Sequence, residues 1–429
     1  MPEAHEGEPS HAESCRLPDE ADQNLFNEVK WKMKKRVFAC ILAAAMLFCL
    51  AACGGGTETT SPATDAPSTD TPASDSDVIK IGHIVHMTGS AVESGGYEKN
   101  GAELAVEEIN AAGGVNGKQL VLVQEDGKST NQGSVAAFQK LLEDDEIVAV
   151  IGPSPSTQFA AMIPTIDEAG IPVATGGTNY SLTHSDCPWV FRFRPHDGFS
   201  AQAMVRYAVD ELGATKIAVL HGSDSFGVGG YDLVAQYLDE LYGMEPILDQ
   251  SFNNDEKDYT AVITNIKESG ADCIISYMAM SPDVGMFATQ RLQQGLDIPW
   301  IGSPSVTAVA GRELAGEALY GVYAVSDFHV DGNEKATAFA AAYEEKFGRE
   351  PDFYSAWTYD AIYCFAEAFK NAADLEPESI REAILALEDF EGVEGTYNFD
   401  ENGDGLDAYY IVVNNENNIE VVTKIEGNR

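Results

Sequence analysis

From Val78 onward, short β-branched runs alternate with longer stretches whose apolar residues recur every three or four positions. The run from 78 to 85 reads as a strand. Residues 97–112 read as a helix, with Ala102, Ala105, Val106 and Ile109 on one face and Gly113-Gly114 closing it. A strand at 120–123, a helix over 134–142 and a strand at 147–151 follow. The spacing of Phe159, Met162, Ile163 and Ile166 then predicts one continuous helix over 156–169, before a short strand at 171–174. Strand–helix alternation of this kind signals a parallel sheet covered by helices on both faces.

The rhythm restarts at Lys216. Strands are predicted at 216–220, 246–250, 273–277 and 300–301, and helices at 228–241, 259–269 and 284–294. Two consecutive arrays of similar size point to two α/β lobes. Two further helices are predicted over 334–347 and 354–373. A closing hairpin is expected from 396–399 and 409–413, around Asp400-Glu401-Asn402-Gly403-Asp404-Gly405. That turn matches the opening of a calcium loop, but its twelfth position is Ile411 rather than an acid, so a plain turn is favoured. His83 and His86 sit three apart in a strand and face opposite ways, which excludes a metal pair.

Upstream, Lys34-Lys35-Arg36 precedes an uncharged apolar run from Val37 to Ala52, the pattern of an export signal. The run is short for a permanent span, which needs about 20 apolar residues. It ends on Leu50-Ala51-Ala52-Cys53, which resembles the lipobox of bacterial lipoproteins, implying acylation of Cys53. Residues 1–32 precede a natural start at Met33 and are read as an overlong, disordered prefix, with 33–52 as the signal peptide. Residues 53–77 are the lipid-bearing Cys53 and a tether almost entirely of Ser, Thr, Pro, Ala, Gly and Asp with no large apolar side chain, which cannot fold by burial. The expected address is the extracytoplasmic face of the cell membrane.

Composition narrows the function. The chain of 429 residues carries a net charge of −43. Nucleic-acid binding needs clustered Lys and Arg, so it is excluded. The seven cysteines form no CxxC pair or Cys/His spacing, so neither a structural zinc site nor a disulfide framework is expected. No nucleophile elbow, phosphate-cradling loop or dinucleotide fingerprint occurs, and no catalytic residue, metal or cofactor is expected.

In parallel α/β sheets, ligands bind beyond the carboxyl ends of the strands. Two loops suit that position. Gly152-Pro153-Ser154-Pro155-Ser156-Thr157 follows one predicted strand and opens a helix, offering hydroxyls and free N–H groups to an anion. Thr175-Gly176-Gly177-Thr178-Asn179 follows the next, where glycines let backbone approach a ligand.

These same segments carry a resemblance. Val150 to Pro153, Ser156, Pro164, Gly170-Ile171-Pro172 and Thr178 to Thr183 look like the leucine/isoleucine/valine-binding protein family, the extracytoplasmic receptors of ABC importers. Gly101-Ala102, Ile109 to Gly117, Phe191-Arg192, Trp357 to Ala361 and Gly395 to Asp400 extend the match over 78–429. The resemblance implies a type I periplasmic-binding-protein fold: two Rossmann-like lobes with parallel central sheets joined by a three-strand hinge. Lobe 1 is expected to span about 78–195 and 328–393, and lobe 2 about 199–325 and 394–429, with crossovers near 194–200, 322–328 and 392–395. It places a ligand against Ser154, Pro155, Ser156, Gly176 and Thr178, with Phe226 closing from the second lobe and Tyr354 lining the pocket. Met280 and Ser303 are expected to set selectivity. Three positions depart from the family: Ser94 where a bulky aromatic is frequent, Met280 where a polar aromatic is frequent, and Pro304 where amino-acid binders supply an acid. Asp224, Asp283 and Asp327 are the candidates to replace that acid.

The expected function is solute capture for an ABC importer by a monomeric, lipid-anchored receptor that hands an amino acid or similar polar solute to a membrane permease. A ligand sensor of the same fold coupled to a membrane signalling protein, and a binder of amides, urea-like solutes or small carboxylates, are the alternatives.

Overall fold

The computed structural model describes residues 78–416 and 418–426. The signal segment, Cys53 and the Ser/Thr/Pro tether lie outside the described residues.

The first lobe is built on five parallel strands in the order β2-β1-β3-β4-β5: β1 (Val78–Val85), β2 (Gln119–Asp126), β3 (Ile147–Ile151), β4 (Val173–Thr175) and β5 (Val190–Arg192). Strands buried on both faces read as unbroken apolar runs, as Ile147–Ile151 does. Helix α1 (Val92–Ala111) lies against one face. Helix α2 (Asn131–Leu141), started by the Thr130 hydroxyl accepting from Gly133 N at 3.0 Å, packs Ala137, Phe138 and Leu141 into the other.

The predicted helix over 156–169 is two pieces, α3 (Ser156–Ala160) and α4 (Ile163–Ala169). Pro164 explains the break: it has no N–H, and its ring opposes the carbonyl four residues earlier. It is tolerated as one of the first residues of α4, and Gly170, at φ +65°, ends that helix.

After β5 the chain crosses to the second lobe. α5 (Asp197–Arg206) leads into β6 (Ile217–Gly222), α6 (Ser225–Tyr242), β7 (Leu248–Phe252) and α7 (Thr260–Ser269). β8 (Cys273–Tyr277), α8 (Ser281–Gln293), β9 (Trp300–Gly302), α9 (Val309–Ala315) and β10 (Tyr323–Ser326) complete this array. The chain then returns: Phe328 packs with Tyr97 and Leu104 of the first lobe. There α10 (Glu334–Phe347), α11 (Phe353–Asn371) and α12 (Pro377–Leu385) follow. Trp357, Phe365 and Phe369 of α11 fill the first-lobe core against α1. Asp352 caps α11 with a full capping box, through Ser355.

The closing segment differs from expectation in two ways. No hairpin joins 396–399 to 409–413. β12 (Thr396–Tyr397) pairs instead with β11 (Phe390–Glu391), while β13 (Ala408–Asn414) inserts antiparallel between β10 and β14 (Ile419–Glu426). The second sheet therefore runs β14-β13-β10-β9-β8-β6-β7. Residues 396–406 also belong to the first lobe, not the second. Tyr397, Phe399 and Leu406 are buried in its core beside Phe191 and Phe193, and Gly405 N donates to Arg192 O at 3.0 Å. Aromatic burial wins here, so the last crossover falls after Leu406 rather than at 392–395.

The Asp400–Gly405 turn is knitted into the hinge. Arg192 Nε donates to Asp404 Oδ1 at 2.7 Å, and Thr183 Oγ1 to the same oxygen at 2.8 Å. Cys187, Cys273 and Cys364 are buried free thiols. Among the described residues no helix is long and apolar enough to cross a membrane.

Candidate functional site

The carboxyl ends of β3, β4, β6 and β8 converge on a cavity of about 150 Å³ between the lobes. From the first lobe it is lined by Ser154, Pro155, Ser156, Gly176 and Thr178, and from the second by Phe226 and Met280. Tyr354, at the start of α11, closes one side. All eight were read from sequence, and they meet in one place.

Local chemistry explains each loop. Gly152 takes φ +82°, and a Cβ there would lie 2.4 Å from Ile84 O, so only glycine turns the chain out of β3. The loop then reaches Ser156, whose hydroxyl accepts from Asn179 N at 3.2 Å and ties the two loops together. Because α3 is only five residues long, hydroxyls and loop N–H groups rather than a long helix dipole give this wall its polarity. In the second loop Thr175 Oγ1 accepts from Gly177 N at 2.9 Å. Gly176 rests on Trp357: a Cβ would meet its indole at 2.5 Å. Gly176→Ala is therefore expected to push the loop into the cavity and weaken ligand binding at least tenfold. Unchanged affinity in an equilibrium titration would contradict this placement.

Ser303 does not line the cavity. β9 turns at Gly302 into a 3-10 turn that points Ser303 inward, where it is fully buried with its hydroxyl 3.1 Å from that of Ser305. Its neighbours Pro304 and Ser305 face the cavity instead.

Of the three candidate acids, only Asp224 lines the cavity. Asp283 is buried elsewhere, accepting from Asp255 N at 3.0 Å. Asp327 is taken by Arg194, whose Nε and Nη2 both donate to its carboxylate, the latter at 3.2 Å.

Arg194, Asn254, Met278 and Phe353 line the cavity without having been read from sequence. Arg194 is 5% exposed, donates from Nη1 to Gly176 O at 3.1 Å and lies 4.2 Å over the Phe353 ring. The alternation of two arginines with aromatic residues in Phe191–Pro195 was its available signal; the other three had none.

Two buried acids stand behind this wall. Burial pushes the Glu98 carboxyl up to about 8, opposed by the Ser154 hydroxyl and the charge of Arg194. Burial likewise raises Asp197 to about 7, opposed by the Thr178 hydroxyl. Across the mouth of the cleft the lobes are hydrogen-bonded: Thr157 Oγ1 to Ser225 Oγ at 2.9 Å, and Asn179 Nδ2 to Ser225 O at 2.8 Å.

Residues 78–418 match the family model described as periplasmic binding protein. An amino acid binding protein of Pseudomonas aeruginosa is 30% identical over 329 residues, covering 76% of this chain and 87% of the relative. The leucine-, isoleucine-, valine-, threonine-, and alanine-binding protein of the same organism is 28% identical over 77% of this chain and 87% of its own length. Among solved structures, the branched-chain amino acid transporter substrate binding protein of Streptococcus pneumoniae, in complex with isoleucine, superposes with a TM-score of 0.75. It is 29% identical, over 82% of this chain and all of that one. A leucine binding protein of Thermotoga maritima gives a TM-score of 0.76 at 26% identity, over 81% of this chain and 99% of that one. These relatives are substrate-binding proteins, not enzymes. With two α/β lobes enclosing a polar cleft, the chain belongs to the periplasmic binding protein family, in its leucine/isoleucine/valine-binding branch.

Proposed function

We propose that the cleft captures a branched-chain or similarly small amino acid and that the protein delivers it to an ABC permease. The supporting observation is the pair of hydroxyl- and glycine-rich loops, Ser154–Ser156 and Gly176–Thr178, facing an apolar second-lobe wall across one cavity. A carboxylate is satisfied by the hydroxyls and loop N–H groups, and an aliphatic side chain by Phe226, Met278, Met280 and Tyr354. Ligand contacts to both lobes favour the closed form, the form a permease would recognise. We further propose that Cys53 carries the lipid that holds the protein at the outer face of the membrane, as a monomer.

A thermal-shift screen of amino acids, amides and small carboxylates tests the ligand class. A ligand at 100 times its dissociation constant stabilises by about 2.7 kcal/mol. Thr178→Ala is expected to weaken binding of the ligand so identified by about 1–3 kcal/mol, the loss of one hydrogen bond to a charged group. Equal affinity in wild type and variant would remove Thr178 from the site. Labelled fatty acid should enter the protein and vanish in Cys53→Ala; persistent labelling would contradict the lipid anchor.

A further inference from the structure

An amino acid carries an ammonium group as well as a carboxylate, and an ammonium enclosed without an anion is costly. Pro304 faces the cavity and supplies none. Among the residues lining the cavity, Asp224 is the one acid and Arg194 the one base. Arg194 is already neutralised by Asp327. The Asp224 carboxylate, half-buried at the end of β6, has no such cationic partner among the described ion pairs.

The geometry around Asp224 is that of a prepared acceptor. Its Oδ1 accepts from Gly227 N at 2.8 Å, capping α6, and its Oδ2 accepts from Asn254 Nδ2. Asp224 and Asn254 both line the cavity. Asn254 Oδ1 is buried and has no hydrogen-bond partner in the protein. Gly222 makes room for the pair: a Cβ there would stand 2.8 Å from Asn254 Oδ1 and 3.2 Å from Asp224 Oδ2. A helix cap alone needs neither the asparagine nor a position on the cavity wall.

We propose that Asp224, oriented by Asn254, receives the cationic nitrogen of the ligand, so that the site selects a zwitterion over a simple carboxylate. This rests on the proposed reading of the cleft as an amino-acid site. Carboxylate recognition then belongs to the first lobe and ammonium recognition to the second. One ligand bridges both, and its two charges hold the lobes together.

Asp224→Asn removes the charge while keeping a residue that caps helices about as well as aspartate. Wild type and variant are titrated calorimetrically with leucine and with 4-methylpentanoate, the same carbon skeleton without the amino group. Wild type is expected to prefer leucine. In Asp224→Asn that preference should shrink at least tenfold, with the melting temperature of the free protein nearly unchanged. Leucine binding equally tight in the variant would overturn the assignment. So would a wild type that binds both compounds alike, which would leave the cleft intact as a carboxylate site. Binding of neither compound by wild type would contradict the branched-chain reading itself, and the Asp224 assignment with it.

Discussion

Asp327→Ala is expected to destabilise the protein by roughly 3–5 kcal/mol, the cost of leaving one member of a buried ion pair without its partner. Arg194 and Asp327 are both nearly inaccessible, at 5% and 1% exposure, and their pairing is bidentate. Burial alone would lower the Arg194 pKa; Asp327 beside it holds the guanidinium above its usual value and therefore fully charged. The pair also joins the crossover segments after β5 and β10, and through Arg194 Nη1 it fixes the Gly176 carbonyl at the cavity wall. Loss of Asp327 should therefore lower the urea midpoint and ligand affinity together. The double variant Arg194→Met, Asp327→Leu should recover much of the stability, because no charge is left buried. A single variant costing less than about 1 kcal/mol would show that water reaches this hinge.

Glu98→Gln is expected to stabilise the protein at pH 8.5 and leave it unchanged near pH 4. The folded protein keeps a proton on Glu98 up to about pH 8, whereas the unfolded chain releases it near its ordinary value of 4.5. The stability this group contributes is fully present below pH 4.5 and is lost as the pH rises through the folded value. The difference corresponds to roughly 5 kcal/mol at most, at about 1.4 kcal/mol per pH unit. Glutamine cannot titrate, so it escapes that loss. Asp197, Asp352 and Asp360 are also raised, to about 7, 7 and 6, so both proteins remain pH-dependent. The difference between their unfolding free energies isolates Glu98: it should grow from pH 4.5 to 8 and then level off. A flat difference across that range would mean that Glu98 is ionised in the folded protein.

Much of the fold was legible because buried parallel strands are continuous apolar runs. Val78–Val85, Ile147–Ile151 and Cys273–Tyr277 were read to the residue. Strands β5 and β10 have three and four residues, too few to show a period, and neither was read. Strand β14 was missed for another reason: its Glu420, Thr423 and Lys424 lie on an exposed edge and dilute the apolar signal. The expected hairpin failed because Thr396–Phe399 and Tyr409–Val413 satisfy turn and strand patterns locally. Their partners are chosen by distant aromatic rings and by an open edge of β10.

The site divides in the same way. Ser154, Ser156, Gly176 and Thr178 were legible because they occupy loops directly after strands of a parallel sheet, where ligands sit. Arg194, Asn254, Met278 and Phe353 reach the cavity only through tertiary packing. Ser303 was misplaced because the direction of a side chain at the N-cap of a 3-10 turn has no two-residue alternation to reveal it. Choosing Asp224 over Asp283 and Asp327 needed the cavity wall and the buried partner of Arg194.

Calorimetric titration of the purified protein with leucine, isoleucine, valine, threonine and alanine tests amino-acid capture most directly. The expected result is saturable binding of at least one of them at one equivalent per chain, weakened in Thr178→Ala. Absence of binding by every amino acid, with saturable binding of an amide, a urea-like solute or a simple carboxylate instead, would contradict it.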